Sequence, residues 1–375
     1  EGQYRVLCLT YGQLKEQVKL VAHALLQTGV VSGCRVAGLL PNCMEAVVCY
    51  LAATSVGAIW SSASPDFGAQ GIIQRFDMVK PTVLFTVTST VYRGKKFDQL
   101  EKVRAIVEAL DPKPVRVVFI PFLELLLPEM RPDDVSMVET PLNENNAHSK
   151  KVHIIPEQLY LRCRYQVDCK LRPLINNVPN SCSLQEFLAL SSSVETDPKP
   201  DRLLIQLPFH HPLAIMFSSG TTGRPKCIVH SIGGTLLKHM CEQKLHCDFR
   251  PGDCVLYLTN IGWMMWNWLI SALALGSSVI LYEGCSFAAN LWDLIEGLAI
   301  TTIGTSAKWL AICEERSLKP GSQYSLKHLR SILSTGSPLA PRLFDYVYRE
   351  IKSDLMLGSI SGECCPVVLL MYFVL

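Results

Sequence analysis

An α/β architecture of parallel sheets flanked by helices is the fold class this sequence predicts. Three observations predict it. Short apolar runs closed by turn residues, such as residues 35–40 (RVAGLL) before Pro41-Asn42, alternate with stretches of helical period. Hydrophobic residues make up 49% of the 375 and charged residues 18%; ordinary soluble domains carry about 25% charge, and sheets buried on both faces need little of it. One apolar run leads directly into a Ser/Gly/Thr loop, and the carboxyl ends of such strands are where α/β sheets bind ligands.

The elements follow in order. Leu14, Val18, Val21, Ala22 and Leu25 recur on one helical face. Residues 35–40 read as a buried parallel strand. Ala46, Val47, Tyr50 and Leu51 carry the next helical stretch, and residues 58–60 a short strand. Pro65-Asp66 opens another helix with Asp66 as its cap. Residues 82–86 (TVLFT) and 115–121 are further strands. The rhythm resumes at Leu213, where residues 213–217 (LAIMF) read as a buried strand. Leu236, Leu237, Met240 and Leu245 fall near a helical stripe, and Arg250-Pro251-Gly252-Asp253 is a turn. Residues 254–259 and 278–282 are strands on either side of a Trp-rich helix; residues 301–305, 330–334 and 356–361 complete the set. This βα alternation implies parallel sheets with helices on both faces. The chain shows no internal repeat.

Length and charge narrow the function classes. At about 150 residues per domain the length allows two domains, or three small ones. A net charge of +2 offers no electrostatic case for nucleic acid or an anionic membrane surface. The 15 cysteines are odd in number and lack CxxC pairs or a histidine at metal spacing. They read as reduced thiols of a cytosolic protein rather than as a disulfide framework. His210, His211 and His230 lack a further ligand nearby and read as polar strand-end or core residues.

Two segments break the pattern. Residues 121–178 mix Pro, acids and Asn with little periodicity, and so long an irregular connection is improbable inside a compact domain. They are expected to be an irregular or disordered insertion between an α/β segment over 1–120 and a second over 179–362. The ten residues 366–375 are all apolar, short of the roughly 20 needed to span a bilayer. With Glu at position 1, this tail over 363–375 is expected to mark a fragment or an alternative product.

The stretch that carries chemistry is Ser218-Ser219-Gly220-Thr221-Thr222-Gly223-Arg224-Pro225-Lys226. Two glycines let backbone approach an anion closely. Four hydroxyls and the loop N–H groups can surround phosphate oxygens, and Lys226 adds a flexible point charge. The spacing G-x-x-G-x-x-K differs from a Walker A loop, whose Gly and Lys are adjacent.

SSGTTGRPK resembles the signature phosphate loop of the adenylate-forming (acyl-CoA synthetase) superfamily. Leu9-Thr10-Tyr11-Gly12-Gln13-Leu14, Gly57-Ala58-Ile59-Trp60, Ile261-Gly262-Trp263-Met264-Met265-Trp266-Asn267 and Gly336-Ser337-Pro338-Leu339 resemble further segments of that superfamily in the same order. Ser64-Pro65-Asp66-Phe67-Gly68, Gly304-Thr305-Ser306-Ala307-Lys308 and Ser359-Ile360-Ser361-Gly362 are most similar to its acetoacetyl-CoA synthetase branch. The resemblance implies the large N-terminal domain of these enzymes and a two-step reaction. A carboxylate, here acetoacetate, attacks the α-phosphate of Mg-ATP to give an acyl-adenylate and pyrophosphate, and the thiol of coenzyme A then displaces AMP.

Residue by residue, the resemblance implies that Ser218, Ser219, Gly220, Thr221, Thr222, Gly223 and Lys226 hold the β- and γ-phosphates, with Lys226, Thr221 and Thr222 as the catalytic groups. Gly336, Ser337 and Pro338 would line the adenine. Trp263, Met264, Met265 and Thr335 would wall the acyl pocket; from spacing alone, the Trp/Met cluster reads rather as helical core. Gly362 stands where the acetate-activating branch has a Trp, which leaves room for a four-carbon keto acid. In Tyr92-Arg93-Gly94-Lys95-Lys96, Arg93 and Lys95 resemble a basic turn that meets the coenzyme A nucleotide, and a solvated loop is the alternative. No metal ligand is expected from the chain itself, although Mg2+ accompanies ATP in this family.

The sequence also departs from the family. Gly362 is followed by Glu363-Cys364-Cys365-Pro366 where the family has Gly-Thr-Asp. The mobile C-terminal lid domain is expected to be absent, and with it full activity. A nucleotide-binding product without catalysis, another short-chain acyl-CoA synthetase, and an adenylation domain without thioester transfer stay open as alternatives.

Overall fold

The computed structural model describes residues 5–92, 95–122, 153–155, 171–193, 204–218, 223–284, 291–361 and 370–373. β1 (Arg5–Leu7) leads into α1 (Tyr11–Gln27) through a capping box. Thr10 Oγ1 accepts from the Gln13 N–H at 3.2 Å, and Gln13 Oε1 accepts from the Thr10 N–H at 2.7 Å, so two orphan donors at the helix start are satisfied reciprocally. β2 (Arg35–Leu39), α2 (Met44–Ser55), β3 (Ile59–Ala63), α3 (Ala69–Val79) and β4 (Val83–Val87) follow. The ribbon β5 (Ser89–Tyr92) and β6 (Lys95–Asp98), then α4 (Leu100–Ala109), lead to β7 (Arg116–Ile120). β8 (His153–Ile155) pairs in parallel with β1. β9 (Ser181–Ser183), α5 (Leu184–Ala189), β10 (Pro212–Ser218), β11 (Lys226–Ser231) and α6 (Ile232–Cys241) complete the first half.

Seven of these strands form one sheet in the order β11-β10-β3-β2-β4-β7-β9. All of its pairs are parallel except β10–β11. Both faces are covered, and the two-residue period divides the side chains between them. Val83, Phe85 and Val87 of β4 join a core with α1 and α2, while Leu84 turns to the core beneath α3 and α4. This is why residues 82–86 read as a continuous apolar run rather than an alternating one.

The second half builds a six-stranded sheet. It contains β12 (Cys254–Tyr257), α7 (Met264–Ser271), β13 (Ser278–Ile280), α8 (Leu291–Gly297), β14 (Thr302–Ser306), α9 (Ala307–Glu315), α10 (Pro320–Gln323), β15 (Ser331–Thr335), α11 (Pro341–Tyr346), β16 (Met356–Ser361) and β17 (Leu370–Phe373). The order is β13-β12-β14-β15-β16-β17, parallel except for β17. Tyr11 Oη lies 2.9 Å from Leu273 O and 2.8 Å from Ser277 O and shares its single proton between them, which ties α1 to the second half.

Several expectations are corrected. Residues 213–217 are a strand but only half-buried: Ala214 and Met216 face the core, while Leu213, Ile215 and Phe217 are half-exposed beside the edge strand β11. The stripe read through Leu236, Leu237 and Leu245 points outward, with exposures of 43%, 65% and 75%. A π-helical turn over Glu242–His246 slips the phase, and the inward face is polar. His239 Nδ1 lies 2.7 Å from Ser271 Oγ, Gln243 Nε2 donates to Trp268 O at 2.5 Å, and Glu242 Oε2 accepts from Trp268 Nε1 at 3.0 Å. Asp66 does not cap α3. Gly68 holds that position, and Asp66 Oδ2 accepts from Ser64 Oγ at 3.0 Å.

The expected insertion ends earlier than residue 178. Leu171, Ile175 and Val178 are buried beside Val103, Ile106 and Val117, so 171–178 belongs to the core of the first half. Residues 123–152 and 156–170 lie outside the described residues. Of the apolar tail, Leu370–Phe373 pairs antiparallel with β16, and 363–369 and 374–375 lie outside the described residues. No helix among the described residues is long and apolar enough to cross a membrane.

Candidate active site

Parallel pairing sends the carboxyl ends of β3 and β10 to one side, and those of β14, β15 and β16 likewise. Of the sequence-predicted site residues, Ser218 ends β10 and Thr335 ends β15. The Ser/Gly/Thr loop is the turn of the β10–β11 hairpin, with Ser218 and Lys226 as cross-strand partners at its base. Gly223 has a φ of 140°, a backbone region that disfavours side chains. Lys226 is exposed and forms no ion pair among the described residues, so its charge is available to an anion. Ser219, Gly220, Thr221 and Thr222 lie outside the described residues.

The Trp/Met segment crosses onto this region. Ser62 Oγ donates to Ile261 O at 2.6 Å. A Cβ at Gly262 would stand 3.2 Å from Ser64 N and from the Phe67 ring, so the two backbones are in near contact. Asn267 Nδ2 donates to Met216 Sδ at 3.3 Å, which joins α7 to β10. Trp263 is 51% exposed and meets Phe67 edge-on, with centroids 6.3 Å apart at 77°. Met264 and Met265 are half-buried against a core that includes Leu333 of β15 and Ile360 of β16. The cluster therefore divides: Trp266 and Trp268 are core, and Trp263 stands open.

Thr335 ends β15, half-buried and paired with Ser306 at the end of β14. Gly336 turns the chain at a φ of 87° with Ser337 and Pro338 exposed after it; glycine adopts that left-handed turn without a Cβ clash. Ser306 Oγ accepts from the Trp309 N–H at 3.2 Å and caps α9. Lys95 is exposed on the separate β5–β6 ribbon, and no hydrogen bond or ion pair among the described residues links it to the other site residues. Arg93 and Gly362 lie outside the described residues.

Three residues that the sequence reading passed over sit at the seams. Arg75 of α3 lies with its guanidinium carbon 5.2 Å from the Phe67 ring centroid and 5.6 Å from that of Phe217, the residue before Ser218. A charge at helical spacing from the buried Ile72, Phe76 and Val79 was the available signal. Asn42 and Glu283 form the second seam, where the Asn42 N–H donates to Glu283 Oε2 at 2.9 Å. Glu283 lines a cavity of about 790 Å³ with Tyr11, Cys43, Met44, Val279 and Leu294. Burial pushes its carboxyl up to about 7, against the opposing Asn42 hydrogen bond. None of the sequence-predicted site residues among the described residues lines this cavity. Burial likewise pushes the Cys254 and Cys313 thiols up to about 12, and both remain thiols rather than disulfides.

Comparison with known proteins bears on the family. The model of the family described as "AMP-binding enzyme" matches residues 5–372. Acetoacetyl-CoA synthetase of Danio rerio is 44% identical over 365 residues, covering 96% of this chain and 47% of that protein. Acetoacetyl-coenzyme A synthetase of Rhizobium meliloti is 37% identical over 357 residues, covering 94% and 47%. A solved structure, acetoacetyl-CoA synthetase from Streptomyces lividans, superposes with a TM-score of 0.73 at 31% identity, covering 96% of this chain and 49% of that one. The chain thus spans about half the length of the relatives it matches. With its α/β sheets, its loop at the end of β10 and its homology across nearly the whole length, the chain belongs to the family of AMP-binding enzymes.

Proposed function

We propose that this chain forms the ATP- and acyl-binding part of an acetoacetate–CoA ligase that forms AMP. One observation carries the reading: Ser218 and Lys226 are paired at the mouth of a hairpin beside the Ser62–Ile261 seam, so an anion-binding loop and an open aromatic, Trp263, belong to neighbouring elements. The names of the relatives support acetoacetate as the acid.

In the proposed reaction a carboxylate oxygen of acetoacetate attacks the α-phosphorus of ATP. The new C–O–P linkage forms as the bond to the β-phosphate oxygen breaks, and pyrophosphate leaves. The thiolate of coenzyme A then attacks the acyl carbon and AMP departs with the bonding pair. Lys226 and the loop residues Ser218 to Gly223 neutralise the β- and γ-phosphates, with Thr221 and Thr222 donating hydroxyl hydrogen bonds; charge stabilisation and positioning are what such a transfer requires. Gly336, Ser337 and Pro338 flank the adenine. Trp263, Met264, Met265, Thr335 and Gly362 bound the acyl group. Arg93 and Lys95 meet the phosphates of coenzyme A.

Among the described residues no group of three or more His, Cys, Asp or Glu could hold a metal ion. Mg2+ that arrives with ATP is held by the phosphates and one or two carboxylates and needs no such group, and no step above runs through it. The scattered cysteines, read as reduced thiols, support a cytosolic setting.

ATP–pyrophosphate exchange dependent on acetoacetate tests the reading. Exchange above background that Lys226→Ala abolishes supports it, and exchange absent in the unaltered chain rejects it as an account of activity. A second reading, nucleotide binding without ligation, predicts ATP binding with no exchange.

A further inference from the structure

We propose that Arg75 is a positioning residue that couples occupancy of the acyl pocket to ATP affinity through the strand that ends at Ser218. This rests on the functional reading above and names how its two half-sites communicate. Arg75 lies on the inward flank of α3 and is half-buried. Its Nη1 donates to Gly71 O one turn back at 2.7 Å, which fixes the plane of the guanidinium. It has no carboxylate partner among the described residues, and burial lowers its proton affinity. A charged group held in that setting needs another source of stabilisation, and two aromatic faces supply it.

Those two rings belong to different half-sites. Phe67, 5.2 Å away, is the ring against which Trp263 packs. Phe217, 5.6 Å away, is the last residue before Ser218 at the base of the phosphate loop. Contacts therefore run without a gap from Trp263 through Phe67 and Arg75 to Phe217. Cys227 Sγ and Met78 Sδ, 4.0 Å apart, hold the next turn of α3 to β11 on the far side of the hairpin. An acyl group that displaces Trp263 must shift Phe67, and Arg75 transmits the shift to the strand that carries the loop. Carboxylate attack needs acid and α-phosphate aligned together, so such a link would favour nucleotide capture once the acid is present. Lysine is a poor replacement, because its compact, strongly hydrated ammonium lacks the forked guanidinium that bonds Gly71 O while lying near both rings.

Calorimetric titration of ATP into the full chain, with and without saturating acetoacetate, tests the link. Acetoacetate tightens ATP binding at least about 5-fold in the unaltered chain, within the usual span of coupling between sites. In Arg75→Lys and Arg75→Leu the factor falls below about 2, while acetoacetate still shields Trp263 from acrylamide quenching. Trp263 suits that readout, since Trp60, Trp266, Trp268, Trp292 and Trp309 are all buried. If the Arg75 variants do not fold, Phe217→Leu reads the same link and also loses the coupling. Retention of the full factor in Arg75→Lys, or a factor near 1 in the unaltered chain that binds ATP, overturns this proposal alone. Failure of the unaltered chain to bind ATP overturns the functional reading and this inference with it.

Discussion

The indole Nε1 of Trp266 donates to Oδ1 of Asn42 at 3.0 Å, and both residues are buried. Asn42 follows β2 of the first sheet and Trp266 belongs to α7 of the second half, so this bond spans the two. The same Asn42 side chain donates toward Tyr282 O at 3.3 Å, and its backbone N–H holds Glu283. The site described above depends on that junction, because α7 also carries Met264 and Met265 and begins beside Trp263.

Asn42→Ala should destabilise the fold by about 2 kcal/mol, the cost of a buried N–H left without an acceptor. Trp266→Phe removes the donor, leaves Asn42 Oδ1 without it and opens a cavity at a fully buried site, so it should cost at least as much. Urea unfolding of the two single variants and the double variant checks this. Additive losses would contradict a direct Asn42–Trp266 bond.

Glu283 gives the junction a pH dependence with a definite sign. Its carboxyl is raised from 4.5 to about 7 in the folded chain, chiefly by burial. The folded state therefore binds the proton more tightly than the unfolded state does. The stabilising contribution is complete below about pH 4.5 and is lost as pH rises through about 7. Glu283→Gln should be more stable than the unaltered chain at pH 8, and the difference should shrink as pH falls to 5. Melting temperatures across that range decide it, and a difference independent of pH would contradict the assignment.

Gly304 shows a different constraint. A Cβ there would stand 2.0 Å from Cδ2 of Tyr257, which is buried on the neighbouring strand. Gly304→Ala should cost about 1–3 kcal/mol through overpacking. Loss of stability without a change in strand content, read by circular dichroism and thermal melting, is the expected result. Gly252→Ala is no equivalent control, since Gly252 has a φ of 87°; nor is Gly68→Ala, since Gly68 is the N-cap of α3, where Ala is disfavoured.

Most of the strand framework was legible in the sequence, because strands buried on both faces appear as uninterrupted apolar runs: residues 35–40, 82–86 and 301–305 all lie over observed strands. Helix faces were less secure. Leu236, Leu237 and Leu245 have helical spacing, yet a π turn and the polar contacts of His239, Glu242 and Gln243 decide which face turns inward. Composition also hid Leu171, Ile175 and Val178, three core residues at helical spacing after a long irregular stretch. At the site, the loop ends and the Gly336 turn could be read from residue types. The roles of Arg75, Asn42 and Glu283 could not, since each is defined by partners between 8 and 241 positions away in the chain.

Equilibrium titration of this chain with ATP, alongside Lys226→Ala, tests the central claim most directly. Lys226 is exposed and unpaired with any acid among the described residues, so its removal should spare the fold and act on the ligand. A lost charge-assisted hydrogen bond is worth about 1.5–3 kcal/mol, which is roughly 10- to 100-fold in affinity. The account predicts saturable binding of one ATP per chain, weakened by that factor in Lys226→Ala. No saturable binding, or equal affinity in the two proteins, would contradict it.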